Sequence, residues 1–388
     1  MRLLIIGIIL VPVLGLSSIT SASGQTGDLQ TRLRIVESFQ TLGERLHQAR
    51  FTDSGKLFVS SRDEEGSWWF RIGQDRRRFE PCDGTAYRGG ALDYAGKNLM
   101  VSCPELIVEV WDLTEGARAA RFEPLSSSPK RDQEEIYFHN LSPDGIKAAF
   151  TFRDQGERAE LWNVTRGQKI ATLTSDISEC KCNRSIYAIE FSRDGKVVAV
   201  AFGGMVFLWD AATGKLLHRL IDKNVDRRLL LTDSGTVRTL LFSADGRTVI
   251  TGSSTGTAKS WNIETGELIN TFQKHKLAIT ALALSPDRTV LATGSRNQDV
   301  KLWDTATGKH LMTLNTRKAV RRLSFHPTGE RLMSQTSTHI FIWETNKGAI
   351  VAETPISDPG RTSLSSDWKQ FMMPNSKQHT LEIFTFEG

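Results

Sequence analysis

The sequence predicts an all-β chain made of eight copies of one small antiparallel sheet, and three observations predict it. The first is the stretch His275 to Phe325, where apolar-rich runs at Ile279–Leu284, Val290–Thr293, Val300–Asp304 and His310–Leu314 are parted by turn residues such as Ser285-Pro286-Asp287 and Thr307-Gly308-Lys309. The second is recurrence. Trp303-Asp304 returns as Trp111-Asp112 and Trp209-Asp210, and in altered form as Trp162-Asn163, Trp261-Asn262 and Trp343-Glu344, and five residues after each of these six tryptophans stands a glycine. The third is a turn upstream of each Trp: Ser142-Pro143-Asp144-Gly145, Ser192-Arg193-Asp194-Gly195, Ser243-Ala244-Asp245-Gly246 and His326-Pro327-Thr328-Gly329. Degenerate copies flank the six, one with Asp53-Ser54-Gly55 and Phe70, the other with Ser366-Asp367-Trp368 and Phe384. A lone four-stranded sheet cannot bury both faces, so each copy needs neighbours of its own kind.

Turn, Trp and Gly recurring together resemble the WD-repeat family over nearly all of the chain. The resemblance implies an eight-bladed β-propeller of four-stranded antiparallel blades, with the N-terminal strand completing the last blade. It implies a binding scaffold rather than a particular chemistry. Ser142 to Gly145 is also similar to the turn of the periplasmic Tol-type propellers, which are interaction modules too. Eight-bladed quinone-cofactor dehydrogenases share a turn like Thr213-Gly214-Lys215, but there a Trp follows the turn, whereas here it precedes it and Leu216-Leu217 follow. The Asp-box of sialidases is absent.

In chain order, Arg2, the apolar run Leu3–Leu16 and the small residues Ser21-Ala22-Ser23 predict a signal peptide over residues 1–23, and hence export to the periplasm or beyond the cell. Residues 24–32 read as a polar leader and 33–388 as a single propeller domain. Leu33–Phe39 alternates apolar and polar residues in the manner of a fourth strand, yet no first three precede it. The chain stops after a third strand, Leu381–Phe386. Joining the two ends removes both open edges.

The interval from the post-Trp glycine to the next turn is 29, 28 and 32 residues after Gly116, Gly167 and Gly214, but 20 to 22 after Gly266, Gly308 and Gly348. The extra length falls in the connections 122–135, 174–185 and 221–236. In the WD-repeat architecture these lie on one face, where clustered insertions mark a binding surface. Their mixed charge suits a protein partner, and Lys130, Arg131, Asp132, Arg184, Asp226, Arg227 and Arg228 are the candidate partner-binding residues.

The net charge of +5 with 24% charged residues describes an ordinary surface, and the pairs Arg227-Arg228 and Arg321-Arg322 sit in no nucleic-acid-binding motif and read as solvated. The expectation is therefore a monomer with a protein partner, no nucleic acid, and no membrane span once the leader is cleaved.

Four cysteines allow three connectivities. Cys82 and Cys103 map to the same face of the second blade and are the expected disulfide, with free thiols as the alternative. Cys180 and Cys182 are one residue apart, too close for an unstrained bond, which leaves reduced thiols, a metal or a partner's cysteine open.

The eight histidines form neither HExxH nor CxxCH, so no metal, cofactor or catalytic residue is expected. The resemblance gives His275 a structural role, in a buried tetrad with Thr293, Asn297 and Trp303, although Lys274 replaces the usual glycine and Asn297 the usual aspartate. Trp68-Trp69-Phe70 reads as packing between blades. The expected function is an exported protein-interaction scaffold without bond chemistry. The alternative is a hydrolase or oxidoreductase with its site at the central channel mouth.

Overall fold

The computed structural model describes residues 33–386 except 41–44, 52–55, 63–67, 73–74, 85–88, 105–106, 125–135, 153–157, 175–185, 222–234, 357, 359–361 and 376–379. Residues 1–32, where the leader is expected, therefore lie outside it. Thirty-two strands form eight antiparallel sheets of four. We number these blades one to eight: residues 45–79, 89–122, 136–174, 186–220, 237–273, 279–315 and 322–355 form the first seven. Blade eight joins Ser363–Leu364, Gln370–Asn375 and Thr380–Phe386 to the first strand of the chain, Leu33–Gln40, which pairs with Thr380–Phe386 from Leu33 opposite Phe386 to Gln40 opposite Thr380. The fold is an eight-bladed propeller. Neighbouring blades touch through their first strands, which line the axis. Among the described residues no helix is long and apolar enough to cross a membrane.

Local chemistry explains the strand ends. At Ser142 the side-chain Oγ donates to Asp144 Oδ1 (2.5 Å) and accepts from the Lys147 N–H (2.9 Å), while the Gly145 N–H bonds the Ser142 carbonyl (2.8 Å). Gly145 sits at φ 70°, where a side chain costs about 1–2 kcal/mol. The same serine-to-aspartate bond closes the turns at Ser192, Ser243, Ser285 and Ser365. Arg288 and Trp368 hold the left-handed position there, at φ 65° and 59°, where the turns at Ser142, Ser192 and Ser243 have glycine. After the Trp, Asp304 Oδ1 accepts from the Thr307 N–H (2.7 Å) and hydroxyl (2.6 Å), and Gly308 follows at φ 71°. A register shift at the tryptophan itself, as between Leu302 and Trp303, recurs in blades two to seven.

These turns carry a pH dependence. Partial burial alone would raise the carboxyls of Asp194, Asp245 and Asp367, but the serine hydroxyl and a backbone N–H outweigh it and hold them below the usual range. At Asp287, Asp210 and Asp304 the hydroxyl bond is itself the largest influence, in the same direction. A carboxyl depressed in the folded state stabilises fully above its unfolded value and loses that stabilisation as the pH falls through the folded one. The melting temperature is therefore expected to hold from neutral pH down to about 5 and to fall below about pH 4. A thermal-melting series that stays flat to pH 3 would refute this origin of acid sensitivity.

The apolar core is divided into eight seams, one between each pair of adjacent blades. The seam of blades eight and one packs Met372, Leu381 and Ile383 against Phe51 and Leu57. Across three seams a Phe on the fourth strand of one blade meets the Trp of the next: Phe79 with Trp111, Phe122 with Trp162 and Phe272 with Trp303, at ring-centroid distances of 5.6, 4.9 and 5.8 Å. Such pairs add about 0.5–1.5 kcal/mol to their burial. In the aromatic cluster on blade one, Phe70 is buried in the seam with blade two, edge-on to Phe79, and Trp69 is half-buried.

Candidate interaction face and its supports

All three long connections leave the end of a fourth strand and return at the start of a first strand: from Ala117–Phe122 to Ile136–Leu141, from Gln168–Thr174 to Ile186–Phe191, and from Leu216–Leu220 to Val237–Phe242. Their anchors thus share one face, on blades two to five. Lys130, Arg131, Asp132, Arg184, Asp226, Arg227 and Arg228 lie outside the described residues, as do Cys180 and Cys182.

Beneath that face blade two has a buried polar centre. Cys82 and Cys103 are bonded, with Cα atoms 5.3 Å apart. Beside them the fully buried Glu109 carboxylate accepts from the Cys82 N–H (3.0 Å), the Trp111 indole N–H (3.0 Å) and Arg118 Nη1 (2.9 Å). Arg118 and Arg121 also reach Asp83, and hydrogen bonds from Arg121 and then Arg118 hold that exposed carboxyl below its usual range. The two sulfurs and Glu109 lie close enough to suggest a metal. With the sulfurs joined and the carboxylate engaged by three donors, the cluster does not fit one.

In blade six His275 Nε2 stands 2.7 Å from Thr293 Oγ1, which accepts from the Trp303 indole N–H at 2.8 Å. His275 Nδ1 is 3.2 Å from Asn297 Oδ1 and 2.7 Å from Asp299 Oδ1. The four residues named from the sequence are therefore neighbours, and the carboxylate comes from Asp299, two residues further on. Burial opposes ionisation of Asp299, but His275 and Lys301 outweigh it and hold the carboxyl low.

The sequence reading also missed how other blades satisfy their tryptophans. In blades two and three the acceptor is a glutamate two residues earlier, Glu109 for Trp111 and Glu160 for Trp162 (2.8 Å). In blades five and seven it is a hydroxyl, Thr251 for Trp261 (3.3 Å) and Ser334 for Trp343 (2.8 Å). Glu-x-Trp was visible, because residues i and i+2 share one face of a strand.

On the axis, the first strands of blades five to eight enclose an open cavity of about 340 Å³ whose polar lining includes Thr280, Arg321, Arg322, Ser324, Gln335 and Ser363. Its described lining contains no Asp, Glu or His. The Arg321-Arg322 pair, read from sequence as ordinary solvated surface, is part of the cavity wall. Arg322 reaches channel water but is walled by protein, and this burial, then the charge of Arg321, lowers its pKa from the ordinary value.

Comparison with known proteins agrees with the geometry. The family described as "WD domain, G-beta repeat" matches residues 227–262 and 266–304, in blades five and six and the approach to them. The chain is similar to "Eukaryotic translation initiation factor 3 subunit I" of Drosophila willistoni, at 23% identity over 242 residues, covering 59% of this chain and 68% of that protein. The Drosophila grimshawi counterpart is also 23% identical, covering 59% and 67%. "Autophagy-related protein 16" of Arabidopsis thaliana is 24% identical over 163 residues, covering 34% and 31%.

Proposed function

The chain is a WD-repeat β-propeller, and from that premise we propose that it is an exported scaffold which holds a partner protein on the face carrying the three long connections. The observation behind this reading is the placement of those connections: three successive connections, anchored on blades two to five, put the added length on one face of the ring. A ring with eight packed seams changes shape little on binding, so recognition rests on loop shape and charge. Lys130, Arg131, Asp132, Arg184, Asp226, Arg227 and Arg228 are the proposed contacts. Export rests on the order of basic, apolar and small residues in 1–23 and is consistent with a disulfide at Cys82 and Cys103.

Two measurements test the two halves. Protein recovered from the envelope or medium of the source cell should begin at Gly24 or Gln25, and an intact Met1 in that pool would remove export. Used as bait on the envelope fraction, the parent should capture a partner. A variant with all three connections cut to the length found after Gly308 should fold, since long surface loops close at small entropic cost, and should capture about tenfold less, a loss of roughly 1.4 kcal/mol. Undiminished capture would place the binding surface elsewhere.

A further inference from the structure

We propose that the axial cavity at the mouth of blades five to eight binds the carboxylates of an acidic, extended segment of the partner. This rests on the scaffold reading and names the chemistry of what the scaffold takes. The cavity has the volume of a small binding site, about 340 Å³, and two consecutive arginines, Arg321 and Arg322, line it. Arg322 Nη1 donates to the Thr362 carbonyl at 2.9 Å, and neither Arg321 nor Arg322 has a carboxylate partner among the described residues. Elsewhere the ring supplies one: the nearby Arg317 pairs with Glu353 at 2.9 Å, and Arg288 with Asp245. Two like charges side by side in a protein-walled channel repel, and an incoming carboxylate relieves that repulsion while accepting the planar fork of the guanidinium.

The basic character continues outside the cavity on the same face. Arg238, at the mouth on blade five, lies over the Tyr187 ring of blade four, 5.0 Å from its centroid. Exposed Lys276, Arg296 and Lys318 sit in the turns leading to it, without a carboxylate partner among the described residues. Backbone bonds tie these turns together, from the Arg296 N–H to the Ala278 carbonyl (3.0 Å) and from the Val320 N–H to the Ser295 carbonyl (3.1 Å). A single small anion would meet only the arginine pair. An extended polypeptide repeats its side chains on one face every ~7 Å, so alternate acidic residues can meet the pair and the rim together. A nucleic-acid strand would ask for open aromatic platforms, but Phe371 in the cavity wall is buried and the Tyr187 ring on blade four is already covered by Arg238.

The test uses the mature chain and a fluorescein-labelled peptide of alternating Glu and Ser, about twelve residues long so that it spans several blades when extended. Its Gln-Ser counterpart and inorganic phosphate are the controls. Anisotropy titration should show the Glu peptide binding and the Gln peptide failing. Binding should weaken at least about tenfold in the double variant Arg321→Gln, Arg322→Gln, since the charge-assisted hydrogen bonds from both guanidinium groups are lost. It should weaken less with Arg321→Lys, Arg322→Lys, which keeps the charge and loses the fork. Arg219→Gln, on an outer strand of blade four, should bind as the parent does. If the double Gln variant fails to melt cooperatively, the Lys pair and the salt dependence of the parent carry the test. Equal binding of the Gln peptide, indifference to the arginine pair, or phosphate binding without a peptide preference would each overturn the proposal. Should the peptide fail while the bait still captures a partner in a loop-dependent way, the scaffold reading stands and this inference falls alone.

Discussion

Deleting residues 25–40 is expected to lower the melting temperature sharply and to make the protein associate. The strand Leu33–Gln40 is the fourth strand of blade eight, and its partner Thr380–Phe386 is otherwise an edge. A ladder of this length carries roughly six hydrogen bonds at about 1 kcal/mol net each. Its loss is therefore comparable to the whole 5–15 kcal/mol stability typical of a domain. It also leaves blade eight with three strands, one of them the two-residue Ser363–Leu364. The freed edge of Thr380–Phe386 presents unpaired N–H and C=O groups to any second chain. Differential scanning fluorimetry and light scattering on the truncated chain decide the matter. A truncated protein that melts like the parent and stays at the parent's molecular mass would mean that the strand contributes nothing to holding the ring.

The second large effect is expected at Glu109. Its carboxylate is fully buried and binds the backbone of the disulfide-bonded Cys82, the indole of Trp111 and the guanidinium of Arg118. Glu109→Ala strands three donors, one of them charged, and should cost about 3–5 kcal/mol, the range for removing one partner of a buried pair. Glu109→Gln keeps one acceptor oxygen and should cost less. Thr293→Ala in blade six removes a neutral hydroxyl from the Trp303 indole and should cost about 1–3 kcal/mol. Chemical denaturation of the three variants gives the ranking directly. A Glu109→Ala midpoint no lower than that of Thr293→Ala would show that the buried carboxylate is not the stronger anchor.

The parts of the fold that were legible in sequence are those specified by contacts a few residues apart. Ser142 to Asp144 spans two residues and Asp304 to Thr307 three, so turn identity and strand ends could be read within a residue or so: Leu33–Phe39 was expected and Leu33–Gln40 is found. Trp368 was harder, because it occupies a left-handed turn position normally held by glycine. Asp299 was missed because the family pattern pointed to Asn297, and the distinction between them lies in how the turn after Ser295 folds back on His275. Arg321 and Arg322 were read as surface because a basic pair looks alike on a rim and in a channel. Only the start of the first strand of blade seven, placed beside those of its neighbours, sets them at the cavity wall.

The division of the core into eight seams bears on how such a chain can change over generations. A substitution at Phe122 alters the packing of blades two and three and reaches no other seam directly. Each blade can then settle on its own answer to a shared problem, provided its two flanks still fit. The tryptophans preserve that history within one molecule: a glutamate answers the indole in blades two and three, a threonine in five and six, a serine in seven. A change in one blade has to be matched only in its two neighbours, so a face can be remodelled over blades two to five while the seams among the others are left as they were.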